Sequence, residues 1–475
     1  MSGPMLHSRS SNPYPQEWAP DKYPATRSDK MIIVMVGLPA RGKSYISRRL
    51  SQYLSFFYGV PCKVFNVGNY RRETAGAFQT SDFFDPSNET ALNARIQASQ
   101  AALSDLSAWM SSVLPARLEE DKYVSGDFGA LALFDATNTS VERRQWILEQ
   151  VAPLGAKVIF LESICNDQEL IERNIVTSKV GVKDYAHVGA EAAVQDFRDR
   201  IKQYEKVYVS LSEVDETHLS FIKMVDGGRQ FTMNNIRGFL PSRMAQFLMN
   251  MHVEPRSFYF TRHGQSEYNS KGKVGGDSGL SASGNAYAKA LAEWVKVHLM
   301  LDEQGKPRPT RLWTSSMKRC VETARFIPQF KFESADGTEW INMRPKVFRN
   351  LDELYAGECD GMTYDEIAAS FPEDAERREK DKFSYRYPRG ESYADLIARL
   401  EPIAHEMERQ REPLLIVAHQ GILRVLYSYF MEMPREQCVH VPIPLNTVIK
   451  LTPTAKGCYE ERFTILEPAA EPDSH

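Results

Sequence analysis

Met31-Ile32-Ile33-Val34-Met35-Val36-Gly37-Leu38-Pro39-Ala40-Arg41-Gly42-Lys43-Ser44 runs six apolar residues straight into a GxxxxGK[ST] loop. The apolar run reads as a buried strand, and Tyr45–Phe57 after it has a helical pattern. Strand, glycine-rich loop and helix in that order make a phosphate cradle. The glycines let backbone N–H groups curl round an anion, and the helix N-terminus adds positive potential. In such a loop Gly37, Leu38, Pro39, Ala40, Arg41, Gly42, Lys43 and Ser44 surround the nucleotide. Lys43 reaches its β and γ oxygens and Ser44 offers a hydroxyl to Mg²⁺. The expected cofactor is ATP with Mg²⁺.

Outward from this loop, Lys63–Val67, Leu131–Phe134, Lys157–Leu161 and Phe221–Val225 are further short apolar runs. Helical patterns at Glu89–Met110 and Arg143–Val151 lie between them. The alternation predicts an α/β domain, a mainly parallel sheet with helices on both faces. Asp135 closes the run Ala130–Phe134, where P-loop enzymes place a second magnesium-holding carboxylate. Its alternatives are a base for the acceptor hydroxyl or a cap for the helix that follows. Thr137, Asn138 and Thr139 add polar donors directly after it. Arg71, Arg72, Arg95, Arg143, Arg144, Lys179, Arg200 and Tyr204 gather near strand ends. As a set they suit a phosphorylated small molecule.

A second constellation begins where the strand pattern Ser257–Thr261 runs into Arg262-His263-Gly264. Far downstream, Leu414–Ala418 runs into His419-Gln420. An unprotonated His263 at a strand end is a nucleophile for a phosphoryl group. Guanidinium groups beside it lower its pKa and then hold the transferred oxygens. Arg262, Arg319 and His419 are the expected holders, and Asn269 orients the phosphate or the ring. A leaving alkoxide needs a proton, and Glu353 is the preferred general acid, with Asp352 as its rival. A bound phosphate dianion favours the protonated acid.

A chain of 475 residues exceeds one ordinary core, so two domains are expected. The expected division is a flexible arm at 1–28, a P-loop kinase domain at 29–252, a histidine-phosphatase domain at 253–466 and a flexible tail at 467–475. The boundary follows Asn234–Met251, which has a helical pattern, and falls near Met251–Arg256. No Gly/Ser-rich linker separates the halves, which predicts domains packed on each other. In the second half Arg311–Trp313 and Val448–Leu451 read as further strands. Ser10 and Ser11 after Arg9 are conceivable phosphorylation sites, against the plainer reading of a polar tail.

A net charge of −4 without basic–aromatic interleaving argues against a nucleic-acid partner. No apolar run is long enough to cross a bilayer, and no signal-peptide core opens the chain. Six scattered cysteines read as reduced thiols in a cytoplasmic protein, and no zinc-ligand spacing occurs.

With these motifs in hand, residues 30–460 resemble the 6-phosphofructo-2-kinase/fructose-2,6-bisphosphatase family. The resemblance rests on the phosphate loop, Phe65–Arg72, Phe134–Thr139, Gly275–Ser281 and Tyr385–Tyr393. The second half is also similar to the histidine phosphatase superfamily, which includes phosphoglycerate mutases. The resemblance implies transfer of the γ-phosphoryl of Mg-ATP to fructose 6-phosphate, and hydrolysis of fructose 2,6-bisphosphate through phospho-His263. It implies sugar-phosphate ligands at Arg72, Arg95, Thr137, Arg143, Lys179, Arg200 and Tyr204. Asn174 and Cys165 fall on its nucleotide side. Cys165 counts among the catalytic candidates, although Asn166 and Asp167 supply no activating cation. In the second half it implies Tyr364, Arg378, Lys382, Tyr393, Gln420 and Arg424 for the sugar and 6-phosphate, with Asn269 and Gly275 near the reacting phosphate. A homodimer is implied too. Three positions depart from the pattern: Gln265 where Glu is usual, Lys456 where a nucleotide-associated Tyr is common, and Ser44 in place of Thr. The competing readings are a one-way kinase with a weak or regulatory second domain, a nucleic-acid end-processing enzyme, and a metabolite sensor.

Overall fold

A computed structural model describes residues 30–76, 79–119, 129–178, 189–251, 256–302, 304–334, 337–454 and 457–467. Lys179, Lys456, Ser10 and Ser11 lie outside these residues.

The first half carries β1 (Met31–Val36), β2 (Cys62–Asn66), β3 (Leu131–Asp135), β4 (Lys157–Ile164), β5 (Phe221–Val225) and β6 (Gln230–Asn234). They form one sheet in the order β2-β3-β1-β4-β5-β6. All neighbours are parallel except β5 and β6. Successive residues of a strand point to opposite faces. Ile33 and Met35 accordingly pack with Leu50, Met244 and Phe247, while Ile32 and Val34 pack with Ala102, Leu106 and Ile147. Helices thus cover both faces, and β1 is buried along its whole length.

The second half adds β7 (Phe258–Arg262), β8 (Arg311–Thr314), β9 (Phe330–Glu333), β10 (Glu339–Asn342), β11 (Pro345–Val347), β12 (Leu414–Ala418), β13 (Thr447–Thr454) and β14 (Gly457–Thr464). Its main sheet has the order β11-β8-β12-β7-β13-β14. The pairs among β11, β8, β12 and β7 are parallel; β13 runs antiparallel to β7 and β14. β9 and β10 form a separate hairpin.

The two sheets share one core. The helix Lys43–Tyr58, which leaves the phosphate loop, and the helix Phe239–Asn250 lie against Tyr393–Arg409 and Gln420–Phe430. Ile46, Leu50, Phe247, Leu400, Ile403 and Tyr429 belong to the same apolar cluster.

Two sequence readings need correction. Asn234–Met251 is not one helix: Asn234 ends β6, and Gly238 at φ 104° introduces a helix that starts at Phe239. Val67 starts the helix Val67–Ala75 and does not end a strand, so Arg71 and Arg72 are helical. Among the described residues no helix is long and apolar enough to cross a membrane.

Candidate functional site

The loop after β1 has the backbone that a phosphate cradle needs. Gly37 sits at φ 129°, and a Cβ there would lie 2.4 Å from the Ser163 carbonyl oxygen on β4. Ala40 and Gly42 are also left-handed, at φ 61° and 78°. Side chains hold the curl from outside. Asn174 Nδ2 donates to Ala40 O at 3.1 Å, and Ser163 Oγ donates to Arg41 O at 2.5 Å. Lys43 Nζ lies in the loop, donating to Leu38 O at 2.6 Å.

Beside the loop opens a cavity of about 990 Å³ at the carboxyl ends of β1, β2 and β3. Pro39, Ala40, Arg41, Gly42, Lys43 and Ser44 line one side. Asp135, Thr137, Arg72, Arg95, Arg143, Arg200, Tyr204 and Asn174 line the rest. This is the crevice where open α/β sheets bind ligands. Asp135 is buried, pairs in register with Asn66 and accepts from Asn66 Nδ2. It does not cap the next helix, because Ser140 accepts from Arg143 N at 3.2 Å there. The loop, Lys43, and the hydroxyl and carboxylate that Ser44 and Asp135 add to the same cavity lining are donors of the kind a magnesium nucleotide needs.

The arginines are ordered by a residue that carries no charge. Phe84 lies under the Arg200 guanidinium at 3.7 Å and the Arg71 guanidinium at 5.5 Å, and its carbonyl accepts from Arg95 Nη1 at 3.2 Å. Tyr204 packs on the same ring at 5.8 Å. Sequence reasoning missed Phe84, since an aromatic without a motif gives no signal. Arg143 stacks on Trp146 at 4.2 Å, and burial pushes its guanidinium down to about 10. Arg144, grouped above with the anion ligands, is a structural residue. It is buried, with Nε and Nη2 on Glu216 at 3.0 and 2.7 Å and Nη1 on Val209 O at 2.9 Å.

Cys165, the catalytic candidate on the nucleotide side, is buried beside the loop. It packs with Ala40, Ile171 and Ile175, and burial raises its thiol, although Arg41 opposes the shift. The local sequence did not show this cation, which comes from the phosphate loop.

In the second half, His263 follows β7 and His419 follows β12, its parallel neighbour. Their rings lie 5.1 Å apart. Arg319, at the start of the helix Lys318–Ala324, joins them: its Nε is 3.1 Å from His263 Nε2 and 3.3 Å from His419 Nδ1. His263 Nδ1 lies 2.7 Å from the Gly264 carbonyl oxygen, which can only accept. The proton therefore sits on Nδ1, and Nε2 keeps the lone pair a nucleophile needs. Burial, then Arg319 and Arg262, hold His263 well below the ordinary histidine value. The sequence reading named the arginines and missed burial, which is the larger cause.

Gly264 permits this geometry, because a Cβ there would lie 2.5 Å from the Gly284 carbonyl oxygen. Arg262 Nη1 donates to Ile443 O at 3.1 Å. Glu353 accepts from Leu354 N at 2.9 Å and faces Gly421 N at 3.4 Å, one residue from Gln420. Asp352, its rival as acid, is occupied by Ser315 and Ser316 at 2.7–2.8 Å. Asn269 Oδ1 turns back to Ser266 at 3.0 and 3.1 Å. Gly275, at φ 66°, meets Asp360, which accepts from Gly276 N at 2.9 Å. Gln265, the departure beside the nucleophile, turns its side chain onto the Ser281 hydroxyl at 2.9 Å.

A cationic group forms beyond Glu353. Arg424 Nη1 donates to Tyr393 OH at 3.2 Å, and Arg378 Nη2 donates to Tyr364 OH at 3.2 Å. Burial, Arg378 and Arg424 push Lys382 down to about 8. Such a cluster invites an anion.

The profile of 6-phosphofructo-2-kinase matches residues 19–255, and that of the histidine phosphatase superfamily (branch 1) matches residues 258–465. The chain is 42% identical to rat 6-phosphofructo-2-kinase/fructose-2,6-bisphosphatase 1 over 96% of its own length and 88% of the relative's. This chain belongs to the 6-phosphofructo-2-kinase/fructose-2,6-bisphosphatase family. Human 6-phosphofructo-2-kinase/fructose-2,6-bisphosphatase 4 is likewise 42% identical, over 90% of this chain and 84% of that one. A solved structure of a putative alpha-ribazole-5'-P phosphatase from Escherichia coli is 21% identical, with a TM-score of 0.36, over 44% of this chain and 96% of that one. Membership of this family accounts for one chain carrying both a phosphate loop and a paired-histidine site.

Proposed function

We propose that the chain makes fructose 2,6-bisphosphate from fructose 6-phosphate and ATP, and hydrolyses it back to fructose 6-phosphate and phosphate. The observation that carries this reading is the coexistence of two phosphate-handling sites in one chain. One is the Lys43 cradle, opening on an arginine-lined cavity. The other is a neutral His263 whose Nε2 faces Arg319.

At the first site the loop amides and Lys43 hold the donor's terminal phosphates. Arg72, Arg95, Arg143, Arg200 and Tyr204 take the sugar phosphate, with Lys179 as a further ligand. Ser44 and Asp135 would hold Mg²⁺, which would neutralise charge on the phosphates. The alternative role for Asp135 is that of a base for the attacking hydroxyl.

At the second site Nε2 of His263 attacks the 2-phosphate. Arg262 and Arg319 stabilise the equatorial oxygens, and Glu353 protonates the leaving sugar oxygen. Water then releases phosphate from the phosphohistidine. Arg378, Lys382, Arg424, Tyr364, Tyr393 and Gln420 hold the 6-phosphate and sugar. The domains divide between residues 252 and 253, the assembly is a homodimer, and the compartment is the cytoplasm.

Assaying the purified chain for both reactions tests this. ATP-dependent formation of fructose 2,6-bisphosphate and its hydrolysis by the same preparation support the reading; absence of either refutes the bifunctional claim.

A further inference from the structure

The chain of contacts behind His419 determines where its proton sits. Asp352 accepts from Ser316 N and Ser316 Oγ, both at 2.7 Å, and its Oδ1 lies 2.8 Å from Ser315 Oγ. Asp352 is the acceptor in all three contacts, so the single hydroxyl proton of Ser315 points to Asp352. Ser315 Oγ can then only accept. It accepts from Met317 N at 3.0 Å and lies 2.8 Å from His419 Nε2. Two lone pairs do not face each other at that distance, so Nε2 carries the proton. Cys320 Sγ, 3.4 Å from the same nitrogen, serves there as a weak acceptor.

The ring is neutral. Burial first, then Arg319, His263, Arg262 and Arg399, hold His419 well below the ordinary histidine value. With its one proton on Nε2, Nδ1 is left with a lone pair, which receives Arg319 Nε at 3.3 Å. A proton on Nδ1 would instead set N–H against N–H and displace the guanidinium. That displacement would reach His263, because the same Arg319 Nε lies 3.1 Å from His263 Nε2.

The geometry points to Ser315 and Asp352 as positioning residues that lock His419 in its Nε2–H tautomer and so aim Arg319 at the phosphoryl site. This rests on the phosphohistidine reading above. Neither residue touches the reacting atoms; both act through His419. Asp352 thereby gains a role other than the general acid.

The test uses the full chain with ¹⁵N-labelled histidine, in which long-range proton–nitrogen correlations report the tautomer of His419. The wild type shows the proton on Nε2. Asp352→Asn can present its amide N–H to Ser315, which frees the hydroxyl to donate to Nε2 and moves the His419 proton to Nδ1. In that variant kcat for release of the 2-phosphate falls about 10–100-fold, as for partners that orient a metal-bound imidazole, while KM changes little. The kinase rate and melting temperature stay as in the wild type. A wild-type proton on Nδ1, or a folded Asp352→Asn variant with tautomer and kcat unchanged, overturns the assignment. Should the variant not fold, the wild-type spectrum decides alone. Should the wild type take no phosphate from substrate, the phosphohistidine reading fails while the spectrum still reports the tautomer.

Discussion

Arg49, on the helix that leaves the phosphate loop, donates to the carboxylate of Glu408 in the other half of the chain, and both side chains are buried. Arg256 Nη2 donates to the same carboxylate at 2.5 Å, and Tyr429 OH at 3.0 Å. Arg256 stands just before β7, the strand that ends beside His263. One carboxylate therefore ties the helix of the nucleotide site to the strand of the histidine site. Burial alone would raise the Glu408 carboxyl, but Arg49 and Arg256 overcome it and hold it below its ordinary value.

Removing that carboxylate leaves two buried guanidiniums facing each other. Glu408→Ala is expected to lose about 3–5 kcal/mol of stability, the cost of breaking a buried ion pair from one side. Because the two halves share a core, thermal inactivation of both reactions moves down together. Independent inactivation of the two reactions would show that the halves are not coupled here.

Lys43→Met separates the two sites. Kinase turnover is expected to fall at least about 10²–10³-fold, the scale for losing one charge-stabilising donor. Hydrolysis of fructose 2,6-bisphosphate is unchanged, because Lys43 lies in the loop after β1 and not at the histidine site. Parallel rate measurements on the variant check both statements.

Lys382 sets a pH dependence for the second site. Its value is depressed to about 8, so it is charged below that pH and neutral above it. An anion held by Lys382 therefore binds more weakly as pH rises past 8. KM for fructose 2,6-bisphosphate should climb by up to about tenfold per pH unit there. Lys382→Met should raise KM at neutral pH and flatten the profile. A wild-type KM that stays level to about pH 9.5 would remove Lys382 from the ligand set.

The two buried imidazoles set a second pH dependence, in stability. His263 and His419 are depressed in the folded chain, so below 6.5 the unfolded chain binds protons that the native one does not. Their contribution is complete above 6.5 and is lost as pH falls, with a slope of up to about 2.7 kcal/mol per pH unit for two groups. Urea midpoints at about pH 7 and about pH 5.5 measure it. The double variant His263→Gln, His419→Gln should show a shallower fall.

Much of this was legible in the sequence because the chemistry sits at strand ends. Met31–Val36 and Leu414–Ala418 are continuous apolar runs, buried along their length, and their edges read directly. The strands that escaped notice, β6, β9, β10, β11 and β14, lie at the edges of the main sheets or in the two-stranded hairpin, where exposure dilutes the pattern. Lys43, His263 and Glu353 belong to recognisable motifs. Phe84 does not, since it works by presenting a ring face. Ser315 stands in the Ser315-Ser316-Met317-Lys318-Arg319 run that supplies Arg319, but the hydrogen bond it makes to His419 leaves no trace in that run. Arg143 and Arg144 show the limit most plainly. They are adjacent in sequence, yet one lines the cavity and the other is sealed against Glu216. Helix geometry separates neighbouring side chains, and only the packing tells which face is inward.

The most direct measurement of the central claim is a brief exposure of the chain to fructose 2,6-bisphosphate labelled with ³²P at the 2-phosphate, followed by acid and by alkali. Wild type should carry an acid-labile, alkali-stable label mapped to His263, and His263→Ala should carry none while still making fructose 2,6-bisphosphate from ATP. Label on another residue, or phosphate release undiminished in His263→Ala, would contradict the account.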